Sequence, residues 1–202
     1  MKNLKVSWTH WFRGVLCFSL LSAWVASGAE PTAFELIKEG NRSIGEQSKD
    51  KVLGIHSEKS VASLTPNVWY VTYFDPDAPL KRVEVKFGAG QQLGLKRESH
   101  PPLPGGGGGG VGSLDKVLDI KKLKVDSDKA IKTATAEPLF AKLTLKATQL
   151  WLEYTGAAPV WKVRVWAAKL RKPDATANLG EVFISAESGE VVKRDLHIDR
   201  VD

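Results

Sequence analysis

Residues 99–113 constrain the fold more than any other stretch of this 202-residue chain. They read SHPPLPGGGGGGVGS, three prolines followed by six consecutive glycines. Such a segment has little apolar surface to bury, and polyglycine loses the most conformational entropy on ordering. No Lys-Ser or Lys-Thr pair follows the glycines, so the run is not a phosphate-binding loop. We interpret it as a flexible linker between an N-terminal unit, residues 30–98, and a C-terminal unit, residues 114–202.

The first 29 residues have the pattern of a secretory signal peptide. Basic residues at positions 2, 5 and 13 precede an uncharged apolar run over residues 14–26, and the small residues SGA follow at 27–29. That order is typical of a signal that is cleaved on export, with an uncleaved anchor as the alternative. The apolar run is short for a permanent span. We therefore expect a periplasmic or secreted protein that begins near Glu30 and has no stable membrane span after signal cleavage.

Composition excludes several classes of site. The single cysteine, Cys17, lies in the predicted signal. The mature chain would therefore have no disulfide, no thiol nucleophile and no cysteine-containing metal site. Three of the 29 basic residues also lie in the signal, which leaves 26 against 23 acidic residues. These charges alternate in sign along the chain and form no basic stripe, so we predict that the protein does not bind nucleic acid.

The two units share one predicted order of elements, a helix followed by strands with period-2 alternation. Trp69 and Trp161 both open the second strand of their unit. The fold class predicted is α+β, with two tandem units, each a helix packed on an antiparallel sheet of three or four strands. The predicted helices cover residues 32–46 and 127–137, and the predicted strands cover residues 52–58, 68–74, 82–87, 91–97, 145–154, 160–168, 181–186 and 190–198.

Alternation along the strand at residues 160–168 places Lys162, Arg164 and Trp166 on one face and the apolar Trp161, Val163 and Val165 on the other. Tryptophan beside arginine is a frequent pair in protein-binding hot spots. We predict that Lys162, Arg164 and Trp166 bind a partner. The alternative is that Trp166 packs beneath the linker or the other unit.

The C-terminal unit resembles a known family. Residues 125–131 (VDSDKAI) look like its opening helix, residues 160–165 (VWKVRV) like its central strand, and residues 182–192 (VFISAESGEVV) like its closing hairpin. Together they resemble a PepSY domain, the small module of peptidase propeptides and many exported bacterial proteins. The N-terminal unit is similar but lacks the acidic hairpin turn. The resemblance implies a role in binding or inhibition and carries over no catalytic residue.

A weak metal site is predicted at the end of the chain. Asp195, His197 and Asp199 are spaced to share one exposed strand face, and one imidazole with two carboxylates is a plausible donor set for a divalent ion. The alternative is a charged edge strand, where charges oppose aggregation. No two histidines of the sequence have the spacing of metal ligands on one helix or strand. No cofactor is expected.

We find no sequence support for catalysis. There is no Gly-x-Ser-x-Gly motif, and the Glu187-Ser188-Gly189 segment has turn residues. We therefore expect a non-enzymatic, exported binding module for a protein or peptide partner, with regulation of a peptidase or another envelope protein through sheet faces or edges as its role. The alternative is a small-ligand or metal carrier of the cell envelope.

Overall fold

The structure is a computed structural model that describes residues 30–97 and 116–202. The predicted signal peptide, residues 1–29, and the predicted linker, residues 99–113, lie outside the described residues. The described chain is an α+β protein with two α-helices and eight strands. No helix within these two ranges has the length and apolar character needed to cross a membrane.

All eight strands belong to one antiparallel sheet with the order β4-β3-β2-β1-β5-β6-β7-β8. Each run of four strands is a meander that follows a helix, and the first strands of the two meanders meet at the centre of the sheet. In chain order the elements are α1 (Ala33–Gly40), β1 (Val52–Ser57), β2 (Val68–Phe74), β3 (Arg82–Gly88), β4 (Gln91–Arg97), α2 (Ser127–Thr135), β5 (Leu145–Thr155), β6 (Ala158–Ala168), β7 (Thr176–Ser185) and β8 (Val191–Leu196).

The sequence predicts a separate sheet for each unit, whereas the structure has one continuous sheet. The difference arises at β1 and β5, which pair antiparallel through Ile55 with Leu152 and His56 with Trp151. Strand β1 is buried at five of its six positions. Burial on both faces is typical of a strand in the interior of a sheet, which has a neighbouring strand on each edge. The two neighbours of β1 are β2 and β5.

Serine hydroxyls extend this junction where β1 turns away from β5. Ser57 Oγ accepts the Leu150 amide at 2.9 Å, and Ser60 Oγ accepts the Thr148 amide at 2.9 Å. All four residues are buried, and three of them, Ser57, Ser60 and Thr148, are polar. A buried amide without an acceptor costs free energy. The two hydroxyls therefore replace the carbonyl acceptors that a longer β1 would have provided.

Both helices pack on the same face of the sheet, which we call the helix face. Tyr73 on β2 donates its hydroxyl to the Ile37 carbonyl of α1 at 2.9 Å. Trp161 on β6 donates Nε1 to the Val125 carbonyl, just before α2, at 2.8 Å. The rings thus bury their apolar surface and satisfy their polar atoms on the helix segments. One buried row on this face contains Val85, Val71, Ile55, Leu152, Trp161 and Ile184.

Both helices are shorter than the sequence pattern predicts. Helix α1 ends at Gly40, where the hydroxyl of Tyr73 occupies the space that a Cβ would fill. Helix α2 ends at Thr135, and the chain restarts as a 3₁₀ turn at Pro138–Phe140, since proline cannot donate within a helix. The strand predictions agree more closely, except that β7 begins at Thr176 rather than at residue 181.

The two helices meet at their N-termini and share capping side chains. Asp126 Oδ1 accepts the amide of Ser127 in α2 at 2.7 Å and the amide of Phe34 in α1 at 3.1 Å. Ser127 Oγ accepts the Ala33 amide of α1 at 3.0 Å. These amides are among those that a helix leaves unpaired at its start. Burial raises the pKa of the Asp126 carboxyl, and its hydrogen bonds from Thr32 and the two amides oppose that rise.

We predict that Asp126→Ala destabilises the protein more than removal of an ordinary cap. An N-cap to alanine substitution costs roughly 0.5–2 kcal/mol, and this carboxylate caps two helices, so we expect a loss of about 2 kcal/mol. The control is Glu35→Ala, which removes the carboxylate that accepts the Thr32 amide in the capping box of α1 and leaves Asp126 unchanged. Urea unfolding measures both, and equal losses in the two variants would contradict the shared cap.

Candidate functional site

The opposite face of the sheet, which we call the open face, has no helix packed on it within the described residues. One row of side chains crosses this face with a member on every strand, because the pairing register places them directly opposite one another. From β4 to β8 the row consists of Gly94, Lys86, Tyr70, His56, Trp151, Lys162, Phe183 and Lys193. Apart from Gly94, every member is a basic side chain or a ring, with the rings of Tyr70, His56 and Trp151 consecutive at the centre, and we call this set the cation–aromatic row.

In the N-terminal unit the row is held by ring stacking and one ion pair. The His56 and Tyr70 rings stack with centroids 4.6 Å apart and an interplanar angle of 7°. Lys86 Nζ lies 5.0 Å from the Tyr70 ring centroid and 3.3 Å from Glu58 Oε1. The Tyr70 hydroxyl donates to the same carboxylate oxygen at 2.6 Å, and that hydrogen bond lowers the pKa of Glu58.

In the C-terminal unit the row is built on Trp151. Lys162 Nζ and Arg164 Cζ each lie 4.8 Å from the centroid of this ring. The two cations also have carboxylate partners, since Lys162 Nζ is 3.6 Å from Glu153 Oε1 and Arg164 Nη2 is 2.5 Å from Glu181 Oε1. Desolvated cations over an indole ring are among the stronger cation–π contacts.

The three residues predicted to bind a partner do share the open face, but they differ in accessibility. Lys162 is only 8% exposed, and its ammonium group contacts the Trp151 ring and pairs with Glu153. Arg164 and Trp166 are partly exposed. Lys59, from the loop after β1, places its Nζ 4.7 Å from the Trp166 ring centroid, so the tryptophan contacts the other unit and still presents part of its surface.

The structure does not assemble the predicted metal ligands. His197 Nε2 lies 3.5 Å from Asp195 Oδ1. Strand β8 ends at Leu196, however, and Asp199 lies in a 3₁₀ turn at Ile198–Val201, so strand alternation no longer directs its side chain. Across residues 30–97 and 116–202, no three His, Cys, Asp or Glu side chains are grouped as a metal site.

Sequence reasoning missed the other members of the cation–aromatic row. Tyr70, Lys86 and Phe183 each alternate with buried apolar neighbours, so their place on an open face was available from the pattern. What the pattern lacks is the register, because alternation assigns a face without saying which residues of neighbouring strands lie opposite. The His56–Trp151 contact pair depends on the β1–β5 junction and has no local signal.

The open face carries buried rings and half-exposed cations. Its buried ring surfaces and half-exposed cations resemble the anchors of protein interfaces, where aromatic residues and arginine are enriched. Trp151 Nε1 is buried and has no hydrogen-bond partner among the described residues. Burial lowers the pKa of His56 to about 4, against a smaller opposing effect of Glu58, so the imidazole is neutral at physiological pH.

Comparison of the chain with protein-family models, with curated proteins and with solved structures finds no significant match.

We predict that protonation of His56 weakens the fold in mild acid. Its folded pKa is about 4, below the 6.5 of the free side chain. The unfolded chain therefore takes up this proton first as the pH falls, and stability is lost from pH 6.5 down to about pH 4. A shift of this size corresponds to about 3 kcal/mol when complete.

The variant that isolates this effect is His56→Phe, which keeps a ring against Tyr70 and removes the titrating group. The free energy of unfolding of wild type should fall more steeply than that of the variant between pH 7 and pH 4. His197→Gln serves as the control because His197 is exposed. The same pH dependence in wild type and His56→Phe would show that His56 is not responsible.

Proposed function

We propose that this protein is an exported, non-enzymatic binding module that holds a protein or peptide partner against the open face and so regulates a peptidase or another envelope protein. Arg164 and Trp166 form the accessible centre of the contact surface. Lys162 is buried, and its ammonium group contacts the Trp151 ring that Arg164 also contacts. The location rests on the signal-like pattern of residues 1–29.

One observation carries the proposal, the part-exposed tryptophan beside a fixed arginine on a helix-free sheet face. Arg164 is held by two hydrogen bonds to Glu181 Oε1, from Nε at 3.0 Å and from Nη2 at 2.5 Å. A side chain that is already ordered loses less entropy when a partner binds. Trp166, two residues along on the same strand face, then offers a large apolar surface, and tryptophan with arginine is a frequent composition of hot spots.

The resemblance of the C-terminal unit to a PepSY domain extends, in this proposal, to two tandem units that share one sheet. Each unit is a helix followed by a four-stranded meander. In each, a positive-φ glycine of the last hairpin turn lies against the residue before the helix N-cap. Gly90 approaches Pro31 in the first unit, and Gly189 approaches Val125 in the second. Such a recurrent detail favours duplication of one unit.

The non-enzymatic character is supported by the partners of the buried acidic groups. Asp75, which is 4% exposed, pairs with Arg97 Nε at 3.1 Å. Glu137, which is 6% exposed, pairs with Arg194 Nε at 2.8 Å. Carboxylates that neutralise a neighbouring arginine serve the fold, whereas a catalytic acid or base needs access to a substrate.

We predict that Trp166→Ala and Arg164→Ala each reduce partner affinity at least about tenfold, the typical effect of truncating a hot-spot residue. The purified protein would first be used to isolate a partner from the native cell envelope. The dissociation constant of that partner would then be measured for wild type and both variants by calorimetry, and any peptidase partner would be assayed with and without the protein.

Leu139→Ala is the matched control, since Leu139 is a large side chain that is 56% exposed and lies in the 3₁₀ turn after α2 rather than on the sheet. It should leave the dissociation constant unchanged. A partner that binds wild type, Trp166→Ala and Arg164→Ala equally would refute the assignment of the open face. Loss of affinity in the Leu139 variant alone would move the contact to the helix side.

A further inference from the structure

A concave pocket lies on the helix side of the C-terminal unit, away from the open face. Its volume is about 330 Å³, and it is formed between α2 and the β7–β8 turn. Ligand pockets in proteins begin at roughly this size. The lining consists of three lysines, two hydroxyl residues, one carboxylate and a short apolar and glycine floor, namely Lys124, Lys129, Lys132, Thr133, Ser188, Glu187, Val125 and Gly189.

The three lysines of this pocket are unpaired. The ammonium groups of Lys124, Lys129 and Lys132 form no ion pair, hydrogen bond or ring contact with any residue that the structure describes. Other basic groups do have carboxylate partners, such as Arg194 with Glu137 and Arg164 with Glu181. The three like charges outnumber the single carboxylate of Glu187 in the lining and repel one another, and an anion would relieve that repulsion.

The N-terminal unit provides an internal comparison. When the helices are aligned on their N-caps, Thr32 and Asp126, the positions of Lys124, Lys129 and Thr133 are occupied by Glu30, Glu35 and Glu39, and that of Lys132 by Lys38. The fold therefore does not require basic residues at the positions of Lys124 and Lys129. The glutamates, moreover, serve the fold: Glu35 Oε2 accepts the Thr32 amide at 2.9 Å, and Glu39 pairs with Arg42.

We infer that this pocket, the Lys124/Lys129/Lys132 pocket, binds a phosphate-bearing ligand. Lysine is a frequent phosphate partner as a compact point charge, and Thr133 adds a hydroxyl donor, whereas the Ser188 hydroxyl donates to Glu190 Oε2 at 3.3 Å. The net charge of the lining lysines and Glu187 is positive, and Val125 supplies an apolar wall for the part of the ligand beyond the phosphate. A soluble phosphate ester and a phospholipid headgroup share this chemistry.

The test is a titration of the purified protein with inorganic pyrophosphate at constant ionic strength, followed by NMR through the amide signals of Thr133, Ser188 and Gly189. We expect saturable shifts. Lys129→Gln/Lys132→Gln should weaken binding at least about tenfold, and Glu187→Gln should tighten it because a repelling carboxylate is removed. Lys38→Gln/Lys121→Gln loses the same charge outside the pocket and should bind like wild type.

Two further arms separate the sources of phosphate. Retention of the protein on vesicles of phosphatidylglycerol that is lost in the Lys129/Lys132 variant identifies a lipid headgroup. Competition of pyrophosphate by glycerol phosphate, with equal vesicle retention of both proteins, identifies a soluble ester. Absence of saturable shifts would overturn the inference, because pyrophosphate would then not bind the pocket. Equal weakening in the Lys38/Lys121 control would also overturn it, because binding would then depend on the general charge of the protein.

Discussion

The structure depends on a short junction between β1 and β5, because two residue pairs there make one sheet of two meanders. Ile55 and Leu152 lie on the helix face, and His56 and Trp151 lie on the open face. Ser57 and Ser60 complete the junction by accepting amides of β5 through their hydroxyls. Without this pairing, β1 and β5 would be edge strands with buried apolar side chains and unpaired backbone groups, a condition that promotes aggregation.

The junction also creates the surface to which we assign function. The cation–aromatic row is continuous only because His56 comes opposite Trp151, and Trp166 is flanked by Lys59 only because the loop after β1 runs beside the C-terminal unit. On the helix side, Asp126 joins the two helix N-termini and so links the same two units a second time. The open face is thus a property of the whole sheet rather than of either unit.

Much of the secondary structure could be predicted from the sequence, since alternation located all eight strands and the caps located both helices. The continuity of the sheet could not, because local periodicity does not say which strand lies next to which. One signal was present: residues 52–55 read VLGI, a continuous apolar run typical of a strand buried on both faces. Read in that way, it indicates a central strand with a second neighbour.

In the candidate site, too, the sequence predicts the face on which a residue lies but not its neighbours on other strands. Alternation correctly placed Lys162, Arg164 and Trp166 on one face, but it says nothing of Lys162 being buried over Trp151, which comes from the neighbouring strand. The metal prediction extended alternation past Leu196, where the strand ends and the chain turns. The Lys124/Lys129/Lys132 pocket forms only because α2 and the distant β7–β8 turn come together in three dimensions.

The most direct test of this account is an NMR measurement of nuclear Overhauser effects between the backbone protons of Ile55–His56 and those of Trp151–Leu152. A single sheet predicts cross-strand effects between these pairs and a spectrum of the full chain that differs from the sum of the spectra of residues 30–98 and 114–202 expressed separately. Absence of these effects, with a full-chain spectrum equal to that sum, would contradict the shared sheet and the open face built on it.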